Sequence, residues 1–97
     1  MLFAIRITDK PSMGATRRSV RDAHIAYLSE HAEMLVLAGP IMDAEGNSIG
    51  SVRLVEAPDL AAAERLCAED PFALAGCFAQ VAIDPYRIVF RDGRLVE

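Results

Sequence analysis

The 97-residue sequence predicts an α+β domain in which one four-stranded antiparallel sheet carries two helices on one face. Three observations predict it. Segments 2–8 and 77–83 alternate their side chains with the period of a half-buried strand. Segments 15–33 and 60–69 repeat their apolar residues with the period of a helix. The elements follow one another as strand, helix, strand, strand, helix, strand, which is the βαββαβ order of the ferredoxin-like plan.

Taken in order, Phe3, Ile5 and Ile7 alternate in the first strand, and the absence of proline and glycine from residues 2–8 places it inside the sheet. Residues 9–14 are a turn-rich connection. The first helix is expected to begin near Ala15 or Thr16, with Thr16 an acceptable N-cap, and to run to about Glu33. At about 100° per residue, Val20, Ala23, His24, Tyr27, His31 and Met34 share one side of it, and Arg18, Asp22, Ser29 and Glu33 the other. His24 therefore points toward the core side, with Arg17, Arg21 and Leu28 at the margin of the stripe. Apolar packing meeting a cationic rim is the pattern of a pocket wall.

Residues 35–42 are apolar without alternation, which predicts a strand covered on both faces. Gly39-Pro40 must interrupt it, either as an edge bulge or as a place where something approaches the backbone closely. Residues 43–47 supply a hairpin loop and residues 48–56 the returning strand. If the hairpin is symmetric, Gly50-Ser51 lies opposite Gly39-Pro40, and either a cleft opens there or Ser51 fills a solvated strand position. Asp59 can cap a second helix over residues 60–69, with Leu60, Ala63, Leu66 and Cys67 as a narrow apolar stripe. Pro71 ends that helix and pushes Asp70 into an extended corner beside Phe72. Residues 73–76 read as a short turn before the fourth strand. After Asp84-Pro85, residues 86–90 form a further extended segment and residues 91–94 a turn.

Composition bounds the function. The chain is 53% hydrophobic with a net charge of -4, and a domain this small hides only part of its surface. The uncovered sheet face is therefore expected to meet a second copy, making a homodimer or a larger assembly. The arginines are confined to two short regions and give no broad basic surface, so nucleic acid is not an expected partner. The longest apolar runs fall well short of the roughly 18 residues of a membrane span. With no basic leader before a long apolar block, a soluble cytoplasmic protein without a membrane partner is expected. Cys67 and Cys77 form no CxxC pair and have no neighbouring histidine, so both read as reduced core residues. His24 and His31 lie about 10 Å apart along a helix, too far to share an ion. No metal and no other cofactor is expected, and nothing divides residues 1–97 into more than one domain.

Arg21-Asp22-Ala23-His24 with Leu28 following, Ala38-Gly39-Pro40, Gly50-Ser51, and Asp70-Pro71-Phe72 with Gly76 resemble the signature positions of the YciI-like family, in the family's order and over nearly the whole chain. The resemblance implies a ferredoxin-like domain in a dimeric α/β-barrel type assembly, a small pocket in each subunit, and a His-Asp pair that maps to His24 and Asp70. It carries over no role for His31.

A histidine titrates near neutral pH, and a carboxylate on one ring nitrogen fixes its tautomer and leaves the other nitrogen to move a proton. His24 is thus the candidate general acid or base and Asp70 its orienter. Arg17 and Arg21 are placed to hold a carboxylate or enolate oxygen, Ser51 to donate a hydrogen bond, and Gly39, Pro40 and Phe72 to line the substrate site. No strong nucleophile stands out, so proton transfer of the lyase or isomerase type on a small anionic or phenolic molecule fits better than hydrolysis through a covalent intermediate. The alternative is a non-catalytic module that binds a small ligand or a partner protein, its His-Asp pair being a satisfied buried polar contact.

Overall fold

A computed structural model describes residues 1–97. Strands β1 (Leu2–Asp9), β2 (Leu35–Met42), β3 (Ser48–Glu56) and β4 (Phe78–Pro85) form one antiparallel sheet in the order β2-β3-β1-β4. Helix α1 (Gly14–Glu30) follows β1, while α2 (Leu60–Ala68) and the single-turn α3 (Pro71–Leu74) lie between β3 and β4. This is the expected ferredoxin-like arrangement.

β1 is flanked by β3 and β4, and its alternating Phe3, Ile5 and Ile7 are at most 1% exposed. They form the core with Val55 of β3 and Ala63, Leu66 and Cys67 of α2. Tyr27 brings α1 to the same core, its hydroxyl donating to the Leu66 carbonyl at 2.8 Å. Burial, reinforced by the negative charges of Glu69 and Asp70, pushes the Tyr27 phenol up to about 12, so it stays a neutral donor at physiological pH. Asp59 starts α2 as expected, its carboxylate accepting the Ala62 N–H at 2.9 Å.

Several expectations are corrected. α1 begins at Gly14, with Met13 as an N-cap that makes no side-chain bond, so Thr16 lies inside the first turn and caps nothing. The helix stops at Glu30, and Ala32–Met34 form a 3₁₀ turn instead of its last residues. Its one buried residue is Leu28, placed by periodicity at the margin, whereas Ala23 is exposed. Val20, His24, Tyr27 and His31 of the expected stripe are partly buried, and α1 packs against α3 as well as the sheet core. Residues 71–74 are helical rather than a turn, since Asp70 caps them and Pro71 occupies the first helical position. β4 starts one residue after Cys77 and continues to Pro85.

β2 is not covered on both faces. It is the sheet edge, and of its residues only Leu35 and Ile41 are partly buried. No bulge falls at Gly39-Pro40: Gly39 pairs with Val52 and Pro40 with Ser51 in regular succession, and the register shifts lie at Leu35/Leu37 and Ile41/Met42. An edge strand uses its donors on one side only, which lets Pro40 sit there undistorted. The C-terminal segment holds a second small sheet, β5 (Phe90–Arg91) with β6 (Arg94–Leu95), where only one extended segment and a turn were expected. Asp92 and Gly93 have φ of 51° and 75°, as a two-residue hairpin turn of this type requires. No helix is long and apolar enough to cross a membrane.

Gly50 is the one glycine whose missing side chain the sheet demands, because a Cβ there would collide with the Ile7 carbonyl oxygen of β1. Gly50→Ala is expected to destabilise the protein by about 1–3 kcal/mol, the range for forced overpacking. Urea denaturation checks this, and Gly39→Ala, where a Cβ meets nothing, serves as the control that should unfold at a nearly unchanged midpoint.

Candidate active site

The site is built around a carboxylate at a chain corner. Asp70 precedes a proline and takes the extended conformation that proline imposes, with φ -62° and ψ 133°. Its side chain folds back onto the first turn of α3, where Oδ1 accepts the Phe72 N–H at 2.8 Å. The same Oδ1 accepts from Nδ1 of His24 on α1 at 2.8 Å, and Oδ2 accepts from Nη2 of Arg53 on β3 at 2.5 Å. Asp70 is fully buried and Arg53 is 1% exposed.

Burial alone would raise the Asp70 pKa, but the His24 hydrogen bond, the Arg53 charge and the Phe72 amide together outweigh it and hold the carboxyl below its ordinary range. An ionised carboxylate only accepts hydrogen bonds, so the proton of neutral His24 must lie on Nδ1. Nε2 makes no hydrogen bond within the protein and is left free for chemistry. The imidazole stacks on the Phe72 ring at 3.8 Å with planes 13° apart, which fixes its orientation a second time.

His24 opens onto a cavity of about 760 Å³ between α1, the loop after β1 and the β2–β3 hairpin. Arg17, Arg21, Gly39, Pro40, Ser51 and Phe72, all named from the sequence, line it together with His24. Their situations differ. Arg17 donates through Nε to Asp9 at 2.5 Å and through Nη2 to the Gly50 carbonyl at 3.2 Å, and its guanidinium lies 4.5 Å from the Phe72 ring centroid. It ties α1 to the ends of β1 and β3. Arg18 and Arg21 make no ion pair and stand exposed at the cavity wall. Ser51 is buried on the helix-facing side of β3 rather than solvated.

Two residues escaped the sequence reading, Arg53 and Asp9. Arg53 shares the inward phase of Ser51 and Val55, and a charged residue at an inward strand position was the signal that could have found it. Asp9, at the end of β1, read only as part of a turn. His31 stands apart from this site, its Nδ1 bonded to the Tyr27 carbonyl at 2.9 Å. Cys67 and Cys77 are free and buried, and desolvation raises both thiols, so neither is an activated nucleophile. No group of three or more histidine, cysteine, aspartate or glutamate side chains is clustered as a metal site.

Comparison with known proteins places this geometry in context. The YCII-related domain matches residues 1–87. Protein YciI of Escherichia coli O6:H1 is 35% identical over 98 residues, covering 93% of this chain and all of that protein. An uncharacterized protein of Haemophilus influenzae is similar to the same extent. Among solved structures, 5-chloro-2-hydroxyhydroquinone dehydrochlorinase (TftG) from Burkholderia phenoliruptrix AC1100, in complex with 2,5-dihydroxybenzoquinone, superposes with a TM-score of 0.84 at 28% identity, covering 90% of this chain and 94% of that one.

The depressed pKa of Asp70 carries a pH signature. A carboxyl that ionises more readily in the folded state than in the unfolded one contributes stability that is complete above the ordinary value of 3.8 and is lost as pH falls through the lower folded value. Asp70→Asn also leaves the Arg53 charge buried without a partner, so stability at neutral pH should fall by about 3–5 kcal/mol. Urea denaturation between about pH 2 and about pH 7 should show this loss together with a shallower acid slope in the variant. An identical slope in both proteins would show that the carboxylate is not held in this way.

Proposed function

The chain belongs to the YCII-related domain family, and on that premise we propose that it is a cofactor-free enzyme of the lyase or isomerase type that moves a proton on a small anionic or phenolic molecule. The observation that carries the proposal is the His24–Asp70 pair, with Nδ1 held by an ionised carboxylate and Nε2 free at a cavity large enough for a small aromatic ligand.

In this reading His24 Nε2 is the general base and Asp70 the orienter that fixes its tautomer and steadies the imidazolium it becomes. In an elimination, the proton goes to Nε2, the electron pair it leaves becomes the new π bond, and the leaving group departs with its own pair. In an isomerisation, His24 returns the proton at another carbon. The charge of the wall suits an anionic ligand. Lys10, Arg17, Arg18, Arg21 and Arg53 line the cavity against only Asp9 and Asp43, in a chain whose net charge is -4. A cationic hollow in an acidic protein draws anions to itself. Arg17 and Arg53 are already paired with carboxylates, so Arg21 is the binding arginine in the first rank, with Arg18 beside it, and Arg17 holds the wall that Phe72 completes. Gly39 and Pro40 form the opposite, β2 side of the site. The similar dehydrochlorinase of Burkholderia phenoliruptrix AC1100 supports this class of reaction and of ligand.

We further propose that the protein works as a homodimer joined through the sheet face away from the helices. Leu37 of β2 and Val52 of β3 remain 54% and 40% exposed on it, beside Leu54. Apolar side chains lining a sheet face in this way are what a self-complementary two-fold interface covers.

Turnover separates this reading from a pair that only stabilises the fold. Against a panel of halogenated hydroquinols including 5-chloro-2-hydroxyhydroquinone, with chloride release and absorbance as readouts, His24→Ala should lose at least about a hundredfold in kcat/KM. Its melting temperature should remain within a few degrees of the parent. Retained turnover in the variant, or a parent protein inactive on the whole panel, rejects the proposal. In light scattering the protein should weigh about twice the 10.5 kDa of one chain, and Leu37→Glu should shift it toward the monomer. A parent that elutes as a monomer excludes the dimer.

A further inference from the structure

The C-terminal hairpin is an apolar element without a core of its own. β5 and β6 pair only with each other, and they lie beyond the residues 1–87 that the YCII-related domain matches. Phe90 and Leu95 face one another across the hairpin at 65% and 62% exposure, with Val96 at 53%. An isolated two-stranded hairpin is marginal in water and gains from a surface to lean on. Arg91 and Arg94 are cross-strand partners too, a pairing of like charges that is unfavourable without a counter-ion, and neither makes an ion pair in the chain.

The same chain carries a recess of matching character. Between α2 and β4 lies an apolar cleft of about 350 Å³, with Cys67 and Ala68 on one side, Phe78, Val81 and Ile83 on the other, and Glu64 as its one charged residue. Val81 shows why it is open. It pairs with the buried Ile7 and so faces the helices, yet it is 39% exposed, so the helices stop short of the outer strand. Glu64 is exposed and makes no ion pair. β4 is also a sheet edge, and a strand lying in the cleft can add main-chain hydrogen bonds to it.

Hairpin and cleft are complementary in polarity and in charge, but they do not meet within one chain. The Tyr86 N–H donates to the Leu2 carbonyl at 2.9 Å and carries the backbone on past Pro85, away from the Phe78 end of β4. A two-fold axis beside β4 runs two β4 strands antiparallel and brings each hairpin to the Phe78 end of the other copy. We propose that the β5–β6 hairpin of one copy docks in the α2–β4 cleft of a second copy, with Phe90 and Leu95 in the apolar recess and an arginine of the turn on Glu64 at its rim. The contact uses a different surface from the open sheet face, and it rests neither on that dimer nor on the proposed chemistry. It is small beside a standard interface, so it forms as concentration rises and joins chains already paired through the sheet.

Sedimentation velocity of the full chain reads the association. The weight-average mass should climb with concentration above that of the sheet-face pair, or above that of one chain in Leu37→Glu. Phe90→Glu changes an exposed side chain, and should need at least about tenfold more protein for the same climb. Glu64→Arg should weaken the association about threefold, and adding Arg91→Glu and Arg94→Glu to that protein should restore it. To locate the contact, p-benzoylphenylalanine replaces Phe90 and is photolysed in a mixture of isotope-labelled and unlabelled chains. Cross-links joining the two kinds of chain should map to α2 or β4. Links within one chain, links to the face that holds Leu37 and Val52, or no links at all overturn the proposal, as does a mass that does not change with concentration. Binding of the parent but not of Phe90→Glu to phosphatidylglycerol vesicles, in place of self-association, overturns it too, because the hairpin would then serve a lipid surface.

Discussion

The structure depends on one buried carboxylate. Asp70 caps α3, receives the Arg53 guanidinium from β3 and takes the imidazole of His24 from α1, so three separate elements converge on two oxygen atoms. Desolvating a charge costs several kcal/mol, and only a full set of partners offsets that. Here the set is complete: each oxygen is bonded, and the folded state keeps the group ionised. The same bonds that make Asp70 tolerable to the interior hold His24 in one tautomer against Phe72. Stability and the candidate chemistry are therefore written into the same contacts.

Much of the fold was legible because local chemistry and global plan agree. Phe3, Ile5 and Ile7 alternate and are all buried; Asp59 stands where a helix needs an acceptor and supplies it; Asp70-Pro71 reads as a corner and is one. The His24–Asp70 pairing was legible through the resemblance to the YciI-like family, to which the helix period added only the inward angle of His24. What stayed hidden has a common cause. β3 is apolar on both faces, Val55 beneath the helices and Val52 and Leu54 on the open side, so its phase could not be read and Arg53 looked like any surface arginine. β2 is likewise apolar without alternation, a pattern that fits a doubly covered strand as well as the edge strand it is. Helix α1 extends past its best capping residue because Met13 and Gly14 carry on the backbone pattern without a side-chain bond, which no residue type announces.

The cavity shows how a charge count can mislead. Read as residue types, Arg17 and Arg21 are equivalent and each suits an anion. In the structure Arg17 is held by Asp9 and by the Gly50 carbonyl, with its guanidinium against an aromatic ring, whereas Arg21 is unpaired. The first shapes the wall, and the second presents a charge to whatever enters. Asp9 also lines the cavity, and by pairing with Arg17 it occupies that guanidinium while Arg21 stays unpaired.

The Arg53–Asp70 pair also bears on how such a chain can drift. A buried ion pair is often no more stabilising than well-packed apolar side chains of similar volume, but losing either partner alone strands a charge in the interior. Descendants selected for foldability alone would have a neutral destination, an oily pair at both positions, separated from the present state by single steps that each damage the protein. That valley keeps the His24 environment intact over many generations even without selection on the pocket. It also means that a lineage which has crossed the valley has lost the orienting carboxylate and the guanidinium together, and regaining either one by itself would be harmful.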